Sequence, residues 1–276
     1  MPKRTPNDDQ NALLERLRRH IEILRLTHIG AHLDEYLAWA IKEAPSSSAL
    51  LERILGEEAR LRSEKRIERR IAKSGLPVRK TLETFDFAFQ PKLDPAVIRE
   101  LALLDFIRRA EDLIISGKSG TGKSHILQAL ALLACAHQFS VRYARAVDLL
   151  NDLYAGLADG TYLTRLKRWT APQFLVIDDV GLGQVKHRDN EPTAAHMLYD
   201  LLDRRHSRVS TAMTSNIKLG AWGQYLGDAT LAAAVLDRIV MRAIRIDIEG
   251  PSYRQHTARE RAKLKGTTPP DDEPQA

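Results

Sequence analysis

Residues 113–124 read LIISGKSGTGKS, and this stretch decides the fold class. Three apolar residues typical of a buried strand lead into a loop with glycines at 117, 120 and 122, and an apolar helical pattern then runs from Ile126 to His137. A glycine-rich loop that ends in Gly-Lys-Ser between a strand and a helix is the Walker A phosphate-binding pattern. In this order of elements, a chance glycine turn is the much weaker interpretation.

The chemistry of this loop predicts binding of ATP with Mg²⁺. Backbone N–H groups of such a loop converge on phosphate oxygens, and the start of the following helix adds partial positive charge. Lys123 would reach the β- and γ-phosphates, and the Ser124 hydroxyl would ligate Mg²⁺. The predicted ATP-binding residues are Gly117, Lys118, Ser119, Gly120, Thr121, Gly122, Lys123, Ser124 and His125.

Strand patterns alternate with helical patterns through the rest of the chain, which predicts an α/β fold with a parallel sheet between helices. Residues Thr81–Pro91 are expected to form a loop or short strand, and Asp94–Ala110 a helix. The five strand candidates are Leu113–Ser116, Ser140–Tyr143, Phe174–Asp178, Ser210–Ser215 and Ala243–Ile248.

An acidic pair follows the third strand candidate, which reads FLVIDD and ends in Asp178 and Asp179. A buried strand delivers Asp178 to the carboxyl edge of the sheet, where nucleotides bind in such folds. Asp178 would hold Mg²⁺ directly or through water, and Asp179 would polarise the attacking water as a general base. The alternative is a solvated turn, which becomes less favoured about fifty residues after a Walker A loop.

Three polar residues further along are ambiguous from spacing alone. Asn216 ends the fourth strand candidate, where it could position water near the γ-phosphate or simply form a turn. Arg238 lies in a predicted helix and could stabilise transition-state charge on the γ-phosphate of a neighbouring subunit, although most helical arginines are solvated or ion-paired. Arg254 closes the predicted folded region.

The N-terminal part differs from the rest in charge. Residues 1–80 carry +5 of the chain's net charge of +6, and their apolar residues recur at helical spacing. The basic residues concentrate in 60–80, which favours contact with DNA phosphates, although a solvated helix face or an acidic protein partner also fits. The predicted DNA contacts are Arg62, Lys65, Arg66, Arg69, Arg70 and Lys73.

Composition limits the location and organisation of the protein. The single cysteine, Cys135, excludes an internal disulfide and favours a reducing cytoplasm. The sequence shows neither a membrane-spanning apolar run nor a secretory signal. We predict a helical N-terminal domain over 1–78, an ATPase domain over 79–256, and a disordered polar tail over 257–276.

The order of these motifs resembles the IstB-like helper ATPases of bacterial insertion sequences, which are relatives of the DnaC and DnaI helicase loaders. The resemblance covers about residues 10–256, and its specificity comes from six stretches in one order. Those stretches are Lys80–Phe87, Gly120–His125, Ile177–Gly181, Thr214–Asn216, Asp237–Ile239 and Gly250–Arg254.

The resemblance implies an AAA+ fold and specific roles for the ambiguous residues. Asn216 becomes the sensor-1 residue, Arg238 the arginine finger, and Arg254 a sensor-2-like nucleotide contact. It also implies a homo-oligomer on mainly duplex DNA and a partner transposase encoded nearby. Two features depart from the common pattern: Ser124 replaces the more frequent threonine, and Lys118-Ser119 replaces a proline-containing pair.

Two other functions stay open at this stage. A helicase loader would share the ATPase core but prefer single-stranded DNA. A nucleotide-switched binding module would make hydrolysis incidental, although the intact Asp178-Asp179 pair argues against it. The polar segment Gly181–Pro192 fits a DNA-facing loop and a solvated excursion equally well, and Phe85 and Phe87 are candidates to cover the adenine.

Overall fold

The computed structural model describes residues 6–183 and 192–265. Its sheet has five parallel strands in the order β2-β3-β4-β1-β5, which confirms the predicted α/β fold. The strands are β1 Asp112–Gly117, β2 Val141–Arg145, β3 Phe174–Val180, β4 Ser210–Ser215 and β5 Ala243–Ile248.

Successive residues of a strand point to opposite faces of the sheet, and in these strands both sets are mostly apolar. Helices therefore cover both faces. On one face, Leu113 and Ile115 pack with Ile126 and Leu130 of α6, and on the other, Ile114 packs with the helices between β2 and β5. The helices around the sheet are α4 Pro95–Leu101, α5 Asp105–Arg108, α6 Lys123–Ala136, α7 Ala146–Ala158, α8 Tyr162–Thr170, α9 Ala194–Arg205, α10 Trp222–Leu226, α11 Ala229–Val240 and α12 Tyr253–Lys265, with a 3₁₀ turn at Leu219–Ala221.

All strands point the same way, so their carboxyl ends meet at one edge of the sheet. The pairing of β1 with β4 places Ile115 beside Thr214. The pairing of β3 with β4 shifts register between Ile177 and Val180, and Asp179 within this irregularity has a left-handed backbone with φ 58°. The irregularity takes the Asp179 backbone out of the regular ladder, next to the β1–α6 loop.

The N-terminal helices are α1 Pro6–Ile23, α2 Thr27–Glu43 and α3 Ser47–Ser74. Residue contacts group Met1–Arg69 into one compact unit and Arg70–Ala276 into another. The first unit has a small core of Ile21, Ile29 and Leu33. None of the helices in the described part of the chain has both the length and the hydrophobicity that a bilayer crossing requires.

Two element predictions are wrong. The single helix expected over Asp94–Ala110 is divided into α4 and α5, because Leu104 adopts a left-handed backbone (φ 61°) and is fully buried. The tail predicted as disordered from residue 257 is helical to Lys265. The composition of α12 is polar, but alanine, arginine, glutamate and lysine favour helix, and Ala262 is buried. Residues 184–191, most of the polar segment 181–192, and residues 266–276 lie outside the described part of the chain.

Candidate nucleotide site

The loop between β1 and α6 has the backbone that its glycines predict. Gly117, Gly120 and Gly122 have φ of 146°, 82° and 98°, a region that L side chains rarely adopt. A Cβ added at Gly120 would lie 2.1 Å from Ser252 Oγ, and one at Gly117 would lie 2.4 Å from the Ile248 carbonyl oxygen. The loop is therefore packed closely against the segment after β5, and only glycine fits at these positions.

Lys123 is the first residue of α6, is 4% exposed, and extends its side chain back to the loop. Its Nζ donates hydrogen bonds to the carbonyl oxygens of Gly117 (2.8 Å) and Lys118 (2.7 Å). Burial lowers the Lys123 pKa to about 8, against the opposing attraction of Asp179 and Asp178. The ammonium group is thus held by loop carbonyls at the place where phosphate oxygens would offer stronger, charged acceptors.

Asp178 is 1% exposed and accepts hydrogen bonds from several hydroxyl groups. The Ser124 hydroxyl donates to Oδ1 at 3.0 Å, the Thr214 hydroxyl also donates to Oδ1, and the Tyr143 hydroxyl donates to Oδ2. The three donors come from α6, β4 and β2, on both sides of β3. Asp178 and Ser124 are therefore brought together as the sequence predicts.

Tyr143 and Thr214 contact Asp178 in the candidate site but were not among the predicted site residues, although Thr214 lies in one of the six stretches that carry the resemblance. Tyr143 is in turn hydrogen-bonded by the Gln128 amide at 3.2 Å, and its pKa is raised by burial and by the neighbouring Asp178. The available signal was positional, because each is a polar residue near the carboxyl end of a strand adjacent to β3. Recognising it requires the strand order, which a single sequence does not supply.

Asp179 and Asn216 also meet at this edge. The Asp179 backbone N–H donates to the Thr214 hydroxyl at 2.8 Å, and the Asn216 amide donates to Asp179 Oδ1 at 3.3 Å. The pKa of Asp179 is raised, mainly by burial and then by the charge of Asp178. A carboxylate with a raised pKa and a fixed orientation is suited to accept a proton.

Lys123, Ser124, Asp179 and Asn216 line a cavity of about 480 Å³, a volume within the range of ligand sites. The predicted site residues that line it are Ser119, Gly120, Thr121, Gly122, Lys123, Ser124, His125, Asp179, Asn216 and Arg254. Arg254 comes from α12, whose first residue, Tyr253, donates its backbone N–H to the Gly120 carbonyl at 2.9 Å. We refer to this space as the nucleotide cavity.

Gly117 and Lys118 do not line the nucleotide cavity but an adjacent one of about 760 Å³. The Lys118 side chain is exposed there, although its backbone carbonyl binds Lys123. Asp178 lies behind the lining residues, in contact with Ser124. A group of three or more metal-ligating side chains is absent from the described residues, so a metal here would need ligands beyond the protein, as Mg²⁺ usually takes from phosphates and water.

Aromatic side chains border the nucleotide cavity on the side of the segment before α4. Phe85, Phe89 and Tyr253 line it, whereas Phe87, the second candidate to cover the adenine, is not a lining residue and packs against the Phe85 ring at 4.8 Å between centroids. His125 donates a hydrogen bond from Nε2 to the Thr81 carbonyl at 2.9 Å. The loop predicted over Thr81–Pro91 thus forms one wall of the cavity.

Arg238 is placed away from the nucleotide cavity of its own chain. Its guanidinium lies 3.2 Å from Asp203, donates to the Tyr199 hydroxyl at 3.3 Å and sits over the Tyr199 ring, all on α9. Arg238 is 40% exposed in this arrangement. Any contact of Arg238 with a γ-phosphate would therefore involve a second copy of the chain.

The six predicted DNA contacts all lie on α3 and differ in burial and in hydrogen bonding. Arg62 bonds to Glu58 at 2.7 Å and to backbone carbonyls of Leu24 and Arg25, and the Nε atom of Arg70 is buried. Arg62 is nevertheless 45% exposed, and four further predicted contacts are exposed as well: Lys65, Arg66, Arg69 and Lys73.

Comparison with known proteins decides the family. The model of the IstB-like ATP-binding protein family matches residues 19–261. The chain belongs to this family. This IstB-like chain is 33% identical to a Geobacillus stearothermophilus protein named as an ATP-binding protein of insertion sequence IS5376, over 87% of this chain and 94% of that protein. It is 32% identical to the corresponding Pseudomonas aeruginosa protein of IS21, over 91% and 93%.

Solved structures confirm the AAA+ fold of this IstB-like chain. AMPPCP-bound DnaA from Aquifex aeolicus matches with a TM-score of 0.52 at 22% identity, over 70% of this chain and 58% of that one. DnaI matches with a TM-score of 0.51 at 21% identity, over 62% and 92%. At these identities the likeness concerns the fold alone. The chain is therefore a member of an ATP-binding family with the AAA+ fold.

Proposed function

We propose that this IstB-like chain is a Mg²⁺-dependent ATPase that assembles on DNA and assists the transposase of an insertion sequence. The observation that carries the proposal is the convergence of Lys123, Ser124, Asp178 and Asp179 at one edge of the sheet. The names of the relatives support the insertion-sequence context.

The cradle fits a triphosphate because its three glycines adopt a backbone that L side chains rarely allow, which lets the loop N–H groups converge on phosphate oxygens. Lys123 and the loop N–H groups hold the phosphates, and Ser124 and Asp178 hold Mg²⁺. When bound, the ion neutralises charge that develops on the phosphates. His125 and Arg254 complete the binding residues. His125 lines the cavity and holds the Thr81 carbonyl next to the lining residue Lys80, and Arg254 contributes direct charge.

Hydrolysis requires a base and an oriented water. Asp179 accepts the proton of the attacking water, and its raised pKa makes it a stronger base than an exposed aspartate. Asn216 holds the Asp179 carboxylate and the water in place. Arg238 supplies transition-state charge to a neighbouring copy, which makes the oligomer the active form.

The N-terminal domain over 1–78 binds DNA and the transposase. Residues 79–256 form the ATPase domain, and the protein acts in the cytoplasm. Exposed lysine and arginine side chains on α3 bind the phosphate backbone of duplex DNA with little sequence preference. Such binding suits a protein that brings a transposase to many targets.

The direct test is the ATPase rate with added duplex or single-stranded DNA, with and without the transposase encoded beside the gene. We expect the rate to rise with duplex DNA and to rise further with the transposase. Stimulation by single-stranded DNA and by a replicative helicase alone would instead identify a helicase loader.

Asp179→Asn separates hydrolysis from binding in the same assay. We expect this variant to bind ATP normally and to hydrolyse it about 10²-fold more slowly or worse, because the general base is gone. Repeated transposase activation at the wild-type rate in Asp179→Asn would show that hydrolysis is dispensable.

A further inference from the structure

A basic groove of about 520 Å³ lies within the first compact unit, between the turn that joins α1 to α2 and the second half of α3. Arg25 contributes to it from the turn, although it lies far in sequence from the basic part of α3 and was not among the predicted DNA contacts. The basic side chains that line the groove are Arg25, Arg62, Lys65, Arg66 and Arg69.

Arg62 has a structural role in this groove, because its guanidinium hydrogen-bonds to other groups of the protein. Its guanidinium donates to Glu58 at 2.7 Å and to the carbonyl oxygens of Leu24 (3.3 Å) and Arg25. These bonds tie the α1–α2 turn to α3, so that Arg25 stands across the groove from Lys65 and Arg69.

Glu58 is the one carboxylate among the described residues that line the groove, and its oxygens already accept hydrogen bonds from within the protein. Glu58 is 4% exposed and accepts the backbone N–H groups of His28 (2.9 Å) and Ile29 (3.1 Å), in addition to Arg62. It caps the start of α2 and lies buried at the groove floor. The Glu58 charge is therefore balanced by these donors, and Glu58 forms no ion pair with Arg25, Lys65 or Arg69.

Arg25, Lys65 and Arg69 are exposed, and within the described part of the chain none of the three forms a side-chain ion pair. Like charges around one groove repel each other unless an anion lies between them. Long, mobile cationic side chains suit the evenly spaced phosphates of a nucleic-acid backbone. We propose that this groove binds backbone phosphates of DNA through Arg25, Lys65 and Arg69, an inference that rests on the proposed DNA-dependent function.

The test is the salt dependence of DNA binding by the full-length chain, measured by fluorescence anisotropy with a non-hydrolysable ATP analogue. The variants are Arg25→Gln, Lys65→Gln and Arg69→Gln, each on two duplexes of unrelated sequence. Each lost phosphate contact lowers the slope of log K against log salt by about one per protomer. We expect that reduction in all three variants and an equal loss of affinity on both duplexes.

Arg60→Gln is the matched control, because it removes the same charge from the same helix. Arg60 pairs with Glu64 at 2.9 Å and does not line the groove. We expect this variant to keep the wild-type slope, and light scattering and circular dichroism establish equal assembly and folding for all proteins.

Two results would overturn the groove assignment: a wild-type slope in the three groove variants, or an equal reduction in Arg60→Gln. Loss of transposase binding with unchanged DNA binding would assign the groove to an acidic protein surface and also overturn it. Failure of the wild-type chain to bind DNA would instead contradict the proposed function itself.

Discussion

The nucleotide cavity and the basic groove use charge in opposite ways. Lys123 lines the cavity and Asp178 lies behind its lining; both are almost fully buried, and each has fixed hydrogen-bond partners. In the groove, Arg25, Lys65 and Arg69 are exposed. A buried charge is costly unless each partner is in place, whereas exposed charges act weakly, add up and are screened by salt. Single substitutions should therefore abolish function in the cavity but only reduce it in the groove.

Lys123→Ala tests this difference where the effect should be largest. Removing the buried ammonium group takes away the charge that neutralises the phosphates, and we expect ATP affinity to fall about 10³-fold, with turnover lost as well. Equilibrium dialysis with labelled ATP measures the affinity.

Lys118→Ala is the control for Lys123→Ala, because it removes the same charge from the same loop. Its side chain is exposed to the adjacent cavity rather than to the nucleotide cavity. We expect nearly wild-type ATP affinity for this variant. Normal affinity in Lys123→Ala would remove the nucleotide interpretation of the site.

Arg238→Ala sharpens the comparison, because Arg238 is exposed in its own chain yet is proposed to act in a buried site between chains. We expect unchanged ATP binding and a fall in turnover of about 10³-fold, the scale of an arginine finger. The rate of the wild type should rise steeply with protein concentration. A full rate in Arg238→Ala would exclude this residue as the finger.

Tyr143→Phe tests whether the hydroxyl donors of Asp178 position it for the metal. The variant leaves a buried carboxylate oxygen without its donor, and outer-shell losses of this kind weaken metal affinity by about 10–100-fold. Electron paramagnetic resonance of Mn²⁺ with ATP present measures that affinity.

Tyr162→Phe is the control, because the Tyr162 hydroxyl donates to Asp200 at 3.0 Å and neither residue lines the cavity. Equal losses in both variants would refute a specific role for Tyr143.

The pH dependence of ATP binding gives the smallest expected effect. The Lys123 pKa is lowered to about 8 in the free protein, and bound phosphates would raise it again. Binding therefore takes up a proton above pH 8, and affinity should fall about tenfold between pH 7 and pH 9. Calorimetry at pH 9 in two buffers of different ionisation enthalpy measures the uptake, expected to approach one proton. Affinity that stays constant over this range would contradict the buried, protonated lysine.

Much of the sheet could be predicted from the sequence, because its signals are local. The loop from Gly117 to Ser124 fixes a strand before it and a helix after it, and FLVIDD marks β3 by its apolar run. The break at Leu104 could not be predicted, because burial of its side chain overrides an otherwise helical pattern.

Site residues whose roles depend on contacts between distant segments also could not be predicted from the sequence. Tyr143 becomes visible only when β2 is known to pair with β3. Arg62 fits a helical basic face by spacing, but its guanidinium is engaged with the α1–α2 turn, and that same contact brings Arg25 to the groove. Spacing along a helix predicts which residues share a face, but not which partners approach that face.

Calorimetric titration of ATP into the wild-type chain, with Mg²⁺ and then with the metal chelated, tests most directly whether Lys123, Ser124, Asp178 and Asp179 form a nucleotide site. We expect one saturable site per chain that binds ATP more weakly without the metal. Absence of saturable ATP binding by the folded chain in the presence of Mg²⁺ would show that these four residues do not form a nucleotide site.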